Sequence, residues 1–253
     1  MLRSLKEIEG YRLDATDGEL GRVKDFYFDD HAWVIRYLVA DTGDWLPKRK
    51  VLISPEAAGE PDCSGRIVPV SLTTRQVERS PSIDADKPVS RQHEEQLAAY
   101  YNWPMYWSPV GIPAAGMMPP GVVLRKPTEG KPAGGEEGGD PDLRSVREVI
   151  GYNIHAADGE IGHVNDFIAD TEGWAIRYLV VDTRNWLPGK KVLLAPSWIE
   201  RVSWSQRQVQ VVPTREAVKG CPEFDPSTPI NRQYEERLYD YYGVPRYWER
   251  PGD

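Results

Sequence analysis

The alternation of apolar and polar positions is clearest between residues 20 and 41. Residues 20–28 and 33–41 are dense in Val, Ile, Phe, Tyr and Trp, and Asp or Gly bounds each run, which predicts strands. Asp17-Gly18 ahead of the first run is a tight-turn signal, because glycine accepts the backbone angles such turns need. Lys50-Val51-Leu52-Ile53 and Ile67-Val68-Pro69-Val70 are shorter strand candidates. Further along the period changes. Thr73 and Thr214 suit the N-cap of a short helical turn, and Ser90 and Asn231 suit the N-caps of helices over about 91–101 and 232–242. On these helices Arg91 with Glu95, and Arg232 with Glu236, stand at i,i+4 and can pair. Leu97, Tyr100 and Tyr101 supply an apolar stripe for docking. Short strands at close spacing with no long helices between them predict a small barrel or sandwich, closed by a helical tail.

The pattern occurs twice. Residues 4–107 superimpose on 145–248 without a gap, with 47 identities in 104 positions, or 45%. Asp17-Gly18-Glu19 matches Asp158-Gly159-Glu160, Arg36-Tyr37-Leu38-Val39 matches Arg177-Tyr178-Leu179-Val180, and Trp45-Leu46-Pro47 matches Trp186-Leu187-Pro188. The predicted organisation is residues 1–107 as copy one (core about 4–80), 108–144 as a linker and 145–253 as copy two (core about 145–220). Each copy is long enough for its own core. Two copies invite packing about a pseudo-twofold axis, as a covalently joined homodimer. The linker holds 7 Pro and 8 Gly in 37 residues, too many for regular structure. Its paired glycines, Gly134-Gly135 and Gly138-Gly139, precede no Lys-Ser or Lys-Thr and are not a phosphate loop.

Composition narrows the function. The net charge of −8 argues against nonspecific nucleic-acid binding, which depends on neutralising phosphates. Copy one counts 14 basic against 18 acidic residues, copy two 13 against 16. No apolar run approaches the ~18 residues of a membrane span, and the first residues lack the apolar core of a secretory signal. Two cysteines cannot make a disulfide framework. A cytoplasmic location is expected, peripheral to a membrane if the partner is a membrane complex.

The run Asp17-Gly18-Glu19-Leu20-Gly21-Arg22-Val23-Lys24-Asp25-Phe26, then Trp33-Val34-Ile35-Arg36-Tyr37-Leu38-Val39-Ala40-Asp41, resembles the PRC-barrel domain. Copy two repeats it over Asp158 to Phe167 and Trp174 to Asp182. The tails ending in Tyr106-Trp107 and Tyr247-Trp248 resemble the extension of stand-alone bacterial PRC-barrel proteins. The resemblance implies a mainly β fold: two small antiparallel barrels in tandem, each followed by a short helical tail. The family takes its name from the cytoplasmic barrel of the photosynthetic reaction-centre H subunit and includes a domain of a ribosome-maturation factor. It therefore implies a docking module. The H subunit's membrane helix has no counterpart in these residues, so a structural role inside a reaction centre is not expected.

The repeat also filters the candidate chemistry. None of His31, His93, His155 and His163 recurs in the other copy, and no two stand at metal-ligand spacing. Cys63 aligns with Trp204 and Cys221 with Ser80, and both are read as free thiols. Asp14, Asp17, Glu19, Asp25, Asp29, Asp41 and Asp44 crowd the strand ends but miss calcium-loop spacing, and are read as turn residues. Arg36 and Arg177 interrupt the most apolar strand. Period-two geometry puts Trp33, Ile35, Tyr37 and Val39 on one face and Arg36 with Val34 and Leu38 on the other. A guanidinium there needs a carboxylate. Asp25 and Asp41 are the candidates for Arg36, and Asp166 and Asp182 for Arg177, in ion pairs that fix register or tail; anion or partner binding is the alternative. Trp45 and Leu46, with Trp186 and Leu187, follow a predicted turn and are either barrel-rim contact anchors or inter-domain packing. The expected function is a non-enzymatic protein–protein docking or adaptor module, without cofactor or metal, whose partner is another protein or a membrane-associated complex. An accessory subunit of an electron-transfer assembly, with Asp25 and Asp166 aiding proton delivery, is the alternative. A ribosome- or RNA-associated factor is a third reading, and the charge speaks against it.

Overall fold

The computed structural model describes residues 1–43, 46, 49–81, 83–84, 89, 91–106, 143–183 and 190–249. The first half runs β1 (Leu2–Ser4), α1 (Leu5–Ile8), β2 (Arg12–Ala15), β3 (Gly18–Asp29), β4 (Val34–Asp41), β5 (Arg49–Ile53), β6 (Ile67–Pro69), α2 (Thr74–Glu78), β7 (Ile83–Asp84) and α3 (Arg91–Tyr101). The second runs β8 (Leu143–Ser145), α4 (Val146–Val149), β9 (Asn153–Ala156), β10 (Gly159–Asp170), β11 (Ala175–Asp182), β12 (Lys191–Leu194), β13 (Ile199–Ser203), β14 (Gln208–Val211), α5 (Arg215–Gly220) and α6 (Arg232–Tyr242). The expected strands and both tail helices are present. Asn231 caps α6 by accepting from the Tyr234 amide at 2.9 Å, and Thr73 caps α2 in a reciprocal box with Gln76. Ser90 and the side chain of Arg91 lie outside what is described.

The fold is mainly β, and the sheet is mixed rather than purely antiparallel. The strands of both halves join it, in the order β13-β14-β9-β10-β11-β4-β3-β2-β6. The sheet crosses between halves at Val34 opposite Ala175, which occupy the same position in the repeat. The Ile35 amide donates to the Trp174 carbonyl at 2.8 Å, and the Ile176 amide to the Trp33 carbonyl at 2.7 Å. Two parallel pairs, β2 with β6 and β9 with β14, also depart from the antiparallel expectation. Each pair is separated by a long excursion of chain, which can return in the same direction where a hairpin cannot.

The first strand of each half pairs with the other half. In β1, Leu2, Arg3 and Ser4 stand opposite Asp170, Ala169 and Ile168 of β10. In β8, Leu143, Arg144 and Ser145 stand opposite Asp29, Phe28 and Tyr27 of β3. The segment expected to be linker through residue 144 thus begins the second half's strand at Leu143. The following turns, α1 and α4, bury Leu5, Ile8, Val146 and Val149 in a core cluster fed by both halves. Phe28 and Phe167 meet in it with ring centres 5.7 Å apart.

Irregularities in the long strands decide which side chains reach that core. Tyr27 faces Tyr37 while Phe28 faces Ile35, so Arg36 is an extra residue on β4, a bulge. Arg177 is extra in the same way between Ile176 and Tyr178. An added residue reverses the alternation beyond it. Ile35, Leu38 and Ala40 enter the main core, whereas Tyr37 and Val39 lie with Leu52, Val89 and Leu97 in a second cluster. The face expected to hold Trp33, Ile35, Tyr37 and Val39 together is therefore split. Glycine is required at one further irregularity. A Cβ at Gly21 (φ +131°) would stand 2.1 Å from the Asp41 carbonyl oxygen, and one at Gly162 (φ +140°) 2.0 Å from that of Asp182.

Candidate functional site

The richest polar chemistry lies where each tail helix meets the bulged arginine. The β3–β4 turn is built by Asp29, whose Oδ1 accepts from the amides of His31 and Ala32 at 2.9 and 3.0 Å. Its Oδ2 accepts from Arg36 Nη2 at 2.9 Å. The guanidinium lies 4.0 Å from the centre of the Tyr106 ring, a cation–π stack. The Tyr106 hydroxyl then donates to Oε1 of Glu94, a fully buried carboxylate on α3, at 2.8 Å. Turn, bulge, helix and tail are tied in one chain of contacts.

The second half repeats it. Arg177 pairs with Asp170 at 3.5 Å and lies 4.3 Å from the Tyr247 ring centre. Glu235 on α6 is 2% exposed. Its Oε1 accepts from the hydroxyls of Tyr178 and Tyr247 at 2.7 and 2.8 Å, and Oε2 from Arg232 at 2.9 Å. Arg232 also covers the Trp248 ring at 4.1 Å. Burial pushes the Tyr178 and Tyr247 hydroxyls far above the usual tyrosine range, with the neighbouring carboxylate adding to it, and pushes Tyr239 up to about 12. The Tyr178 and Tyr247 phenols stay protonated donors. Chemically the network is a fastener: its hydroxyls are held as donors to carboxylates at the base of each tail.

The partner of Arg36 differs from the expected one. Arg36 pairs with Asp29, not Asp25 or Asp41, and Arg177 is bonded to Asp170. The reason is the rise along a strand. At roughly 3.3 Å per residue, Asp41 lies about 16 Å beyond Arg36 on β4, and the Val39 position that Asp25 faces lies about 10 Å beyond it. Asp29 faces Val34 beside the bulge. Asp41 instead meets Lys24 at 3.7 Å, both exposed, and Asp182 is buried at the end of β11. On the tail, Arg232 pairs with Glu235 rather than Glu236. Tyr100 is exposed and donates to the Gln76 carbonyl at 3.0 Å, so it leaves the expected apolar stripe.

Asp25 and Asp166 hold the junction between halves. Asp25 Oδ2 accepts from Ser145 Oγ at 2.5 Å, and Oδ1 from the amides of Phe26 and Arg147 at 2.7 and 3.1 Å. Asp166 receives Ser4 Oγ at 2.5 Å and the amides of Phe167 and Lys6 at 2.7 and 3.2 Å. Burial raises both carboxyls above the ordinary aspartate value, and these hydrogen bonds oppose the rise. Asp17, read as a turn residue, and its counterpart Asp158 also reach across to the first residue of α2 and α5, accepting from Thr74 and Arg215 amides at 2.7 Å. Recurrence in both copies was the signal for these residues; the bonds that join distant elements come from partners 57 to 162 residues away. Of the contact candidates, Leu46 is half-buried against the main core, while Trp45, Trp186 and Leu187 lie outside the described residues. Among the described residues, no three His, Cys, Asp or Glu side chains are grouped to hold a metal.

The second half carries its resemblance into a direct match: residues 141–217 fit the family model of the PRC-barrel domain. Residues 141–217 are a PRC-barrel domain. No curated protein matches the chain. The PRC-barrel match begins just ahead of β8, the strand that pairs with the first half, and ends within α5. The domain therefore includes a strand whose sheet partner lies outside it, and it leaves the α6 tail and Glu235 beyond its end.

Proposed function

We propose that residues 1–107 are a second PRC-type unit and that the chain is a non-enzymatic tandem adaptor, docking another protein or a membrane-associated complex. One observation carries this reading. The recurring acids drawn into the fold, Asp25/Asp166, Asp29/Asp170 and the buried Glu94/Glu235, accept bonds that hold turns, tails or the junction between halves. A duplicated catalytic site would instead leave a carboxylate turned toward a substrate. The proton-delivery alternative needs Asp25 and Asp166 open to a wet path, but both oxygens of each accept hydrogen bonds within the protein. No helix among the described residues is long and apolar enough to cross a membrane, so a membrane complex would be met through a partner or surface.

The test is affinity capture from the native cell, with and without detergent, using the wild-type chain and a Trp45→Ala/Trp186→Ala variant. The reading expects a partner retained by the wild type and depleted at least tenfold by the variant, with an unchanged circular-dichroism melt. Turnover or a tightly bound metal in the purified chain, lost on replacing Asp25 and Asp166, would overturn it.

A further inference from the structure

The surface each half offers the other is self-complementary. β1 and β8 share the tripeptide Leu-Arg-Ser, at 2–4 and 143–145, and enter the opposite half in the same register. Ser4 caps the turn after β1 through the Glu7 amide and bonds Asp166; Ser145 caps the turn after β8 through the Glu148 amide and bonds Asp25. Further contacts are particular to each side: Arg144 pairs with Asp30 at 3.1 Å, and Thr171 bonds Glu60 at 2.7 Å. Val34 and Ala175, equivalent in the repeat, face each other at the centre. This is the geometry of an isologous interface, in which the same patch occurs on both sides.

Such an interface does not record which chain its halves belong to. From this we infer that a second copy of this chain is a partner for the junction: half one of one chain completes half two of another, giving a dimer with exchanged halves. The contacts are the same in both forms. The balance is set by the connection between Tyr106 and Leu143, rich in Gly and Pro. A tether of this length and composition corresponds to an effective concentration of about 1 mM. The exchanged form is then about one part in a thousand at about 1 µM, and about equal to the closed form near 1 mM. Because β1, β8 and a joint core must separate before halves can trade, exchange occurs during folding rather than between folded chains.

Two full-length chains test this, each with a protease site inserted after Gly135. One carries a C-terminal tag; the other has no tag and is marked by the exposed substitution Arg75→Lys. They are refolded together at concentrations from 1 µM to 1 mM, and separately co-expressed so that the result does not depend on refolding. After cleavage at the inserted site, the tag is captured and the N-terminal fragments are weighed. Exchange predicts that the fragment bearing Arg75→Lys is captured with the tagged C-terminal half, increasingly with concentration. Chains folded separately and then mixed should give much less. Repeating residues 107–142 once should raise the exchanged fraction about threefold, since effective concentration falls roughly as the −3/2 power of linker length. An intact dimer that keeps the marked chain's C-terminal half on the tag would show surface association and overturn the inference. So would capture of only the unmarked N-terminal fragment at 1 mM and after co-expression.

Discussion

Replacing Glu235 probes the tail fastener most directly. The carboxylate is 2% exposed and takes hydroxyl bonds from Tyr178 and Tyr247 and an ion pair from Arg232. Glu235→Ala leaves the Tyr178 hydroxyl buried without its acceptor, about 1–3 kcal/mol, and removes the bond that holds Tyr247 across Arg177. Arg232 is half exposed, so its share is small. Together the loss is about 3–5 kcal/mol, the range for deleting one member of a buried charged set. At about 2–4 °C per kcal/mol for a chain of this size, the Tm falls by roughly 6–20 °C. Glu235→Gln keeps an acceptor for both hydroxyls and should cost only about 1–2 kcal/mol. Urea unfolding followed by circular dichroism gives both values, and hydrogen exchange over 232–249 reports whether the tail has come loose. An alanine variant within about 0.5 kcal/mol of wild type, the range of a featureless surface substitution, would refute the fastener if exchange in that segment were also unchanged.

Three further outcomes follow from the same geometry. Asp25→Asn isolates the buried junction carboxylate: its raised folded value means the native state holds the proton more tightly than the unfolded chain, so its contribution is full below the unfolded value near 3.8 and is lost as pH rises through the folded one. The stability difference, wild type minus Asp25→Asn, should therefore shrink as pH rises above 4 and then level off; a difference that grows with pH in urea titrations contradicts it. Gly21→Ala and Gly162→Ala should each cost about 3–5 kcal/mol or abolish soluble expression, because the new Cβ meets backbone oxygen, whereas Gly10→Ala, with φ +82° but open space around it, should cost only about 1–2 kcal/mol in thermal melts. Arg177→Lys keeps the charge but loses the planar stack on Tyr247, so it should lower stability by about 1 kcal/mol, and a double-mutant cycle with Tyr247→Leu should show positive coupling.

The strands at 20–28 and 33–41, the helices near 91–101 and 232–242, the N-cap Asn231 and the duplication were legible in the sequence because each depends on residues a few positions apart or on direct identity between copies. Arg36 and Arg177 stood out too, since charge recurring at apolar positions is conspicuous in a linear text, whereas Asp25 and Asp166 entered only as ion-pair or proton-delivery candidates. The partners of Arg36, Asp25 and Asp166 were not legible. A bulge adds one residue and turns every later side chain to the opposite face, so Tyr37 and Val39 went to the tail side while Ile35 and Leu38 went inward. The choice of Asp29 over Asp25 and Asp41 hangs on that register. The pairing of β1 with β10 and β8 with β3 is set by contacts between opposite halves of the chain. Nothing in the local pattern of Leu-Arg-Ser distinguishes pairing within its own half from pairing with the other. Only the folded chain, where burying both halves' apolar faces in a joint core outweighs keeping them apart, decides between those two arrangements.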